Sequence, residues 1–136
     1  MNEEISVRLL NLRENAECGV ARLYKLAGWL PDEESDYSKI KTALENSHCA
    51  YGAFDGEKMV GFFRAISDRI GDAYLLELFV EPAYRRRGIG ERLCRAVTSH
   101  LAGDGITWQT CISTPEGAGV YAKLGKPMAG HIPFKF

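Results

Sequence analysis

Val80-Glu-Pro-Ala-Tyr-Arg-Arg-Arg-Gly-Ile-Gly90 joins an apolar run to an amphipathic one, and that junction decides the fold. Upstream, Ala73-Tyr-Leu-Leu-Glu-Leu-Phe-Val80 has no helical stripe and reads as a strand covered on both faces. Downstream, Ile89, Leu93, Ala96, Val97 and Leu101 recur at helical spacing, with Glu91, Arg92, Arg95 and Ser99 on the other side. A strand-to-helix turn of this kind aims free backbone N–H groups and the positive end of a helix dipole at one point, which is where an anion binds. Gly88 and Gly90 leave the backbone unshielded by Cβ atoms, so a pyrophosphate can approach, while Arg85, Arg86 and Arg87 supply charge.

The spacing excludes two common phosphate loops. No G-x-x-x-x-G-K-[ST] is present, and a G-x-G-x-x-G fingerprint would need a third glycine where Leu93 stands. What remains is R-x-x-G-x-G, here Arg85-Arg86-Arg87-Gly88-Ile89-Gly90, after a strand ending at Val80. This resembles the acetyl-CoA-binding motif of the GNAT N-acetyltransferase superfamily, in a small bacterial-type single-domain member. The resemblance implies that Leu78, Phe79 and Val80 line the coenzyme's arm, that Arg85 to Gly90 with Glu91 hold its pyrophosphate, and that Thr114 borders the coenzyme. Tyr121-Ala-Lys-Leu-Gly125 is similar to the family's Y-x-K-x-G-F, which implies that Tyr121 protonates the leaving thiolate. A phenol of pKa about 10 stays protonated at neutral pH and can serve a thiolate whose thiol titrates near 8.5. Two residues depart from the family pattern. Thr114 stands where many members carry asparagine, and Lys126 where they carry phenylalanine.

The order of elements suits the same fold. Ile5 to Leu10 reads as a strand, Glu14 to Ala27 as a helix closed by Gly28, and Tyr37 to Asn46 as a second helix capped by Ser35 or Asp36. Strands at Ala50 to Phe54 and Met59 to Ser67 flank the hairpin signal Asp55-Gly56. After the long helix, Gly103-Asp-Gly105 breaks the chain before a strand at Ile106 to Ile112. Thr114 and Pro115 open a last helix that Gly125 closes, and His131 to Phe136 reads as an edge strand because Pro133 interrupts it. The fold class is therefore α/β, a mixed, mostly antiparallel sheet with flanking helices, in one domain over residues 1–136. The resemblance further implies that the strands at 73–80 and 106–112 splay apart around the coenzyme's arm.

Glu77 is the only residue of the 73–80 run that is charged at neutral pH, and simple alternation puts it on one face with Leu75 and Phe79. A carboxylate in that setting either works as a general base or pairs with Arg64 on the neighbouring strand. Arg64 and Asp68, spaced R-x-x-x-D, read as a hairpin ion pair. Gln109 cannot take up a proton and could only orient something. The expected acceptor pocket lies around Trp29, the segment from Ala27 to Tyr37, Arg64 and the tail near His131.

Composition narrows the partners. Among 136 residues, 46% are hydrophobic and 26% charged, with a net charge of −1, so no basic field draws the chain to nucleic acid or to an anionic membrane. RNA binding through Arg85 to Arg87 is disfavoured on that ground. No stretch approaches the roughly 20 apolar residues of a membrane span, and Met1 to Ile5 lacks the features of a signal peptide, so the expected location is cytoplasmic. Cys18, Cys49, Cys94 and Cys111 read as buried thiols, and His48, His100 and His131 show no ligand spacing, so no metal is expected. The functional expectation is an acetyl-CoA-dependent N-acetyltransferase acting on the primary amine of a small molecule. A peptide or protein N-terminal or lysine acetyltransferase, and a non-catalytic acyl-CoA sensor, are the alternatives. The acceptor's identity and a homodimer stay open.

Overall fold

The computed structural model describes residues 4–136, so the reading of the first three residues lies outside it. Five strands form one sheet in the order β1 (Ser6–Leu9), β2 (Cys49–Asp55), β3 (Lys58–Ser67), β4 (Asp72–Val80) and β5 (Trp108–Thr110). All neighbours are antiparallel except β4 and β5, which are parallel, so the mixed, mostly antiparallel sheet is as expected. Helices α1 (Glu17–Ala27) and α2 (Ser38–Glu45) precede β2, α3 (Ile89–Gly103) joins β4 to β5, and α4 (Ala118–Tyr121) follows β5. No helix among the described residues is long and apolar enough to cross a membrane.

Apolar alternation in the central strands feeds two cores. Ile89, Leu93, Cys94, Val97 and Leu101 of α3 pack on Cys49, Ala53, Phe63 and Ala65 on one face of the sheet. Val20, Ala21 and Leu23 of α1, with Ile40 and Leu44 of α2, pack on Ala50, Met59 and Phe62 on the other. Gly28 ends α1 at φ 80°, and Gly56 turns the β2–β3 hairpin at φ 61°, both in the left-handed region that glycine adopts freely.

Gly61 sets how closely α3 approaches. A Cβ there would lie 3.0 Å from Leu93 Cδ1 and 3.2 Å from the Cβ of Ala53. Gly61→Val should overpack this contact and lower stability by about 1–3 kcal/mol. Urea denaturation checks it, and an unchanged midpoint would show that α3 rides further from the sheet.

The second half of the chain is less regular than its pattern predicts. β5 covers only Trp108–Thr110 instead of 106–112, because Ile106 is buried in the α3 core and the chain leaves the sheet after pairing three residues of β4. The last helix shrinks from the stretch after Thr114 to Ala118–Tyr121. Thr114 still accepts the Gly117 N–H through Oγ1 at 3.2 Å, but Gly117 and Gly119 weaken helix there and the flanking segments form turns. No strand forms at 131–136, since Pro133 offers no N–H and β5 is too short to template a neighbour; Ile132, Phe134 and Phe136 are exposed. Cys49 and Cys94 are buried as expected and Cys111 is partly so, but Cys18 is exposed, off the α1 stripe formed by Val20, Ala21 and Leu23.

Candidate active site

β4 loses its strand partner midway. Asp72, Ala73 and Tyr74 pair with β5, and from Leu75 to Val80 the same edge of β4 has no strand beside it. Between Leu76, paired with Arg64, and Phe79, paired with Phe62, two residues of β4 oppose the single residue Phe63. This is a β-bulge, and Glu77 occupies it at φ 69°. The bulge resets the alternation. Leu75, Leu78 and Val80 therefore pack with the α3 core while Phe79 packs with the α1–α2 core, correcting the expectation that Leu75, Glu77 and Phe79 share a face.

β4 ends in a 3-10 turn at Pro82–Tyr84, and the arginine loop follows. Tyr84 donates to Asp55 Oδ2 at 2.5 Å, pinning the loop to the β2–β3 hairpin. Arg85 Nε donates to the Val80 carbonyl at 2.9 Å, and its guanidinium lies 5.3 Å from the Phe79 ring centre. Arg87 lies 5.1 Å over Tyr84. Neither these two nor Arg86, itself at φ 66°, forms an ion pair among the described residues. The nearby carboxylate of Glu81 is taken by Arg22 at 2.7 Å and Lys58 at 3.4 Å.

Gly88 caps α3 at φ 75°, and the first helical bond runs from the Arg92 N–H to the Gly88 carbonyl. The N–H groups of Ile89, Gly90 and Glu91 thus precede the helical ladder and have no acceptor among the described residues. The two glycines do different things. Gly88 supplies the left-handed conformation, whereas a Cβ on Gly90 would lie 3.6 Å from the Val120 methyls and 3.9 Å from Val80, so its absence opens the groove between β4 and α4.

Tyr121 projects from α4 onto this region, its ring 6.2 Å from that of Phe63. Its hydroxyl makes no hydrogen bond among the described residues. Burial, with smaller contributions from Cys111, Cys94 and Tyr74, pushes the phenol above its ordinary range, so it stays protonated. Thr114 lies at the turn before α4, and Gln109 spends its amide N–H groups on the Thr98 and Ile106 carbonyls at 3.2 and 3.1 Å, tying β5 to α3.

Glu77 belongs to a cluster that the sequence reading only half anticipated. Arg64 Nε donates to Glu77 Oε1 at 2.5 Å, the pairing weighed against a catalytic role, and the Tyr24 hydroxyl donates to the same oxygen. Oε2 has no such partner among the described residues. The Tyr24 phenol is pushed above its ordinary range, by burial first and by Glu77 next. Arg64 continues to Ser47 Oγ at 3.3 Å. Asp68 does not meet Arg64: its Oδ1 accepts the N–H groups of Ile70, Gly71 and Asp72, which push its carboxyl down to about 2. Trp29 packs edge-on against Tyr24 and Phe79, with ring centres 5.6 and 5.8 Å apart, and is half exposed. The expected pocket near His131 is not assembled, because the tail after Leu124 is exposed.

Known proteins share this fold. The family model described as the acetyltransferase (GNAT) family matches residues 15–125, and the chain belongs to that family of acyltransferases. An uncharacterized N-acetyltransferase, ycf52, of Pyropia yezoensis is 25% identical over 130 residues, covering 90% of this chain and 73% of the relative. The chain spans 58% and 64% of two further ycf52 relatives. A solved structure of a putative GNAT-family acetyltransferase from Xanthomonas campestris is 26% identical with a TM-score of 0.73, covering 93% of this chain and 87% of that one. An aminoglycoside acetyltransferase from an uncultured soil metagenomic sample, solved with sisomicin, shares the fold at a TM-score of 0.75 and 19% identity, over 97% of this chain and 93% of that one.

Proposed function

We propose that the protein transfers an acetyl group from acetyl-CoA to the primary amine of a small molecule. The observation that carries this reading is the convergence, at the unpaired end of β4, of three arginines and three N–H groups that have no carboxylate partner and no acceptor, respectively, among the described residues. The pyrophosphate sits over Ile89, Gly90 and Glu91, with Arg85, Arg86 and Arg87 around it. The arm of the coenzyme runs along Leu78, Phe79 and Val80 in place of the missing strand, bordered by Thr114. Glu81 donates its N–H to Val60 on β3, so alternation along β4 turns the Val80 N–H to the open side, where it polarises the thioester carbonyl.

The amine nitrogen attacks that carbonyl, the C–S bond breaks, and the departing thiolate takes the proton of Tyr121, which is restored from water. The proton lost by the amine passes through water to the open Oε2 of Glu77. Trp29 forms the aromatic wall of the acceptor cleft. A small cationic amine suits it, and the structurally similar enzyme solved with sisomicin, an aminoglycoside acetyltransferase, supports that choice. A cytoplasmic enzyme without a nucleic-acid or membrane partner fits the near-neutral charge.

Acetyl-CoA should stabilise the folded protein by roughly 2.7 kcal/mol at about 100 times its dissociation constant, because only the native loop binds it. A melting temperature unmoved by millimolar acetyl-CoA would remove the coenzyme from the proposal. Thiol release with a panel of aminoglycosides, polyamines, amino acids and peptides then identifies the acceptor. Coenzyme binding without thiol release from any amine would make the domain a sensor.

A further inference from the structure

α3 starts at the arginine loop and runs for 15 residues to the opposite end of the sheet, which places its C-terminus about 22 Å away. There His48, just before β2, meets His100 in the last turn of α3 and Asp104 just after it. Their donor atoms all lie within 4.8 Å of one another. We infer that this cluster binds a divalent transition-metal ion of the zinc type, outside the acetyl-transfer site.

Geometry favours an ion over a mere polar contact. His48 Nε2 and His100 Nε2 both approach one oxygen, Asp104 Oδ2, at 2.8 and 3.4 Å. An ion held about 2.1 Å from each donor needs them roughly 3–4 Å apart. The 3.4 Å separation already fits, the 2.8 Å one has to open by a few tenths of an ångström, and the two imidazole nitrogens, which lie within 4.8 Å of each other, have to come into the same range; the Asp104 side chain is 52% exposed and can swing. Two imidazoles and a carboxylate with a remaining open position form a donor set that zinc, cobalt or nickel accepts.

The surroundings orient the ligands. His48 Nδ1 lies 2.5 Å from Ser67 Oγ, and His100 Nδ1 lies 2.9 Å from the Tyr51 hydroxyl. A ligating imidazole needs a partner on its second nitrogen, and a hydroxyl can either donate to that nitrogen or accept its proton. With the ion bound, Nδ1–H donates to the hydroxyl and the Nε2 lone pair faces the metal. Without it, the tautomer reverses and Nε2–H donates to Asp104, while each hydroxyl keeps its contact with Nδ1. The carbonyls ending α3 add negative potential at the same place. Arg69 is the opposing cation, acting on Asp104 while donating to the Ser47 carbonyl at 3.3 Å. Because His48 and Asp104 are separated by 56 positions, a bound ion would clasp α3 to the start of β2, and its effect is on stability.

Protein stripped with a chelator and titrated with Zn²⁺ by calorimetry should take up one equivalent, and its melting temperature should rise with Zn²⁺. Co²⁺ in the same site should give the visible absorption of a low-coordinate centre. His100→Gln and Asp104→Asn should each weaken Zn²⁺ affinity by at least about tenfold, while His131→Gln on the exposed tail leaves it unchanged. Asp104→Asn changes one exposed charge and keeps the test valid if a histidine variant fails to fold. The inference is overturned if millimolar Zn²⁺ does not bind, or if binding is undiminished in Asp104→Asn.

Discussion

Tyr121→Phe should lower turnover by about 10² to 10⁴, equivalent to roughly 3–5 kcal/mol of transition-state stabilisation, while acetyl-CoA affinity stays the same. The phenol ring packs against the α3 core and would continue to do so as phenylalanine. Only the hydroxyl is lost, and among the described residues it has no hydrogen-bond partner to leave unsatisfied. A structural tyrosine would show the opposite result: an earlier melt with the rate per folded molecule retained. Single-turnover rates with a fixed amine, measured beside the melting temperature, separate the two. If the rate survives, the leaving thiolate is protonated by water and Tyr121 only shapes the groove.

Arg64→Leu should destabilise the fold by about 3 kcal/mol, because it strands the Glu77 carboxylate with a single remaining donor, Tyr24. The pair is not of the surface kind, since the Arg64 side chain is 10% exposed and that of Glu77 27%. Adding Glu77→Leu to the same protein should recover most of the loss, as removal of both partners leaves no unpaired charge. Urea denaturation of the wild type, both single variants and the double variant closes this cycle. A loss below about 1 kcal/mol in Arg64→Leu would put the pair in the solvent-screened class. If Glu77→Leu alone retains full turnover, its proton-accepting role falls as well.

The strand, arginine loop and helix from Ala73 to Leu101 were legible because each signal there is local. Branched and aromatic residues without a helical stripe can only be a covered strand, and a 3.6-residue stripe right after two glycines can only be a helix start. The hairpin at Asp55-Gly56 and the end of α1 at Gly28 were legible for the same reason. The irregular second half was not. Whether residues 106–112 or 131–136 become strand depends on finding a partner of matching length, and that is a property of the sheet.

What the sequence by itself determined was the family's sheet and long helices, the position of the arginine–glycine loop between β4 and α3, and the presence of Tyr121 on a segment after β5. Tertiary structure alone decided the rest. The bulge at Glu77 arises with no glycine to announce it, because pairing of β3 on both sides of Phe63 imposes the positive φ. Tyr24 and Arg64 reach one carboxylate from positions 53 and 13 residues away. His48 lies against His100 and Asp104 for the same reason: only the last two carry a sequence signal, the four-residue helical spacing, while His48 arrives through the packing of β2 on α3. Long-range contacts of this kind are created by burying apolar faces against each other, and the polar residues brought together at the rim carry no local pattern that predicts the meeting.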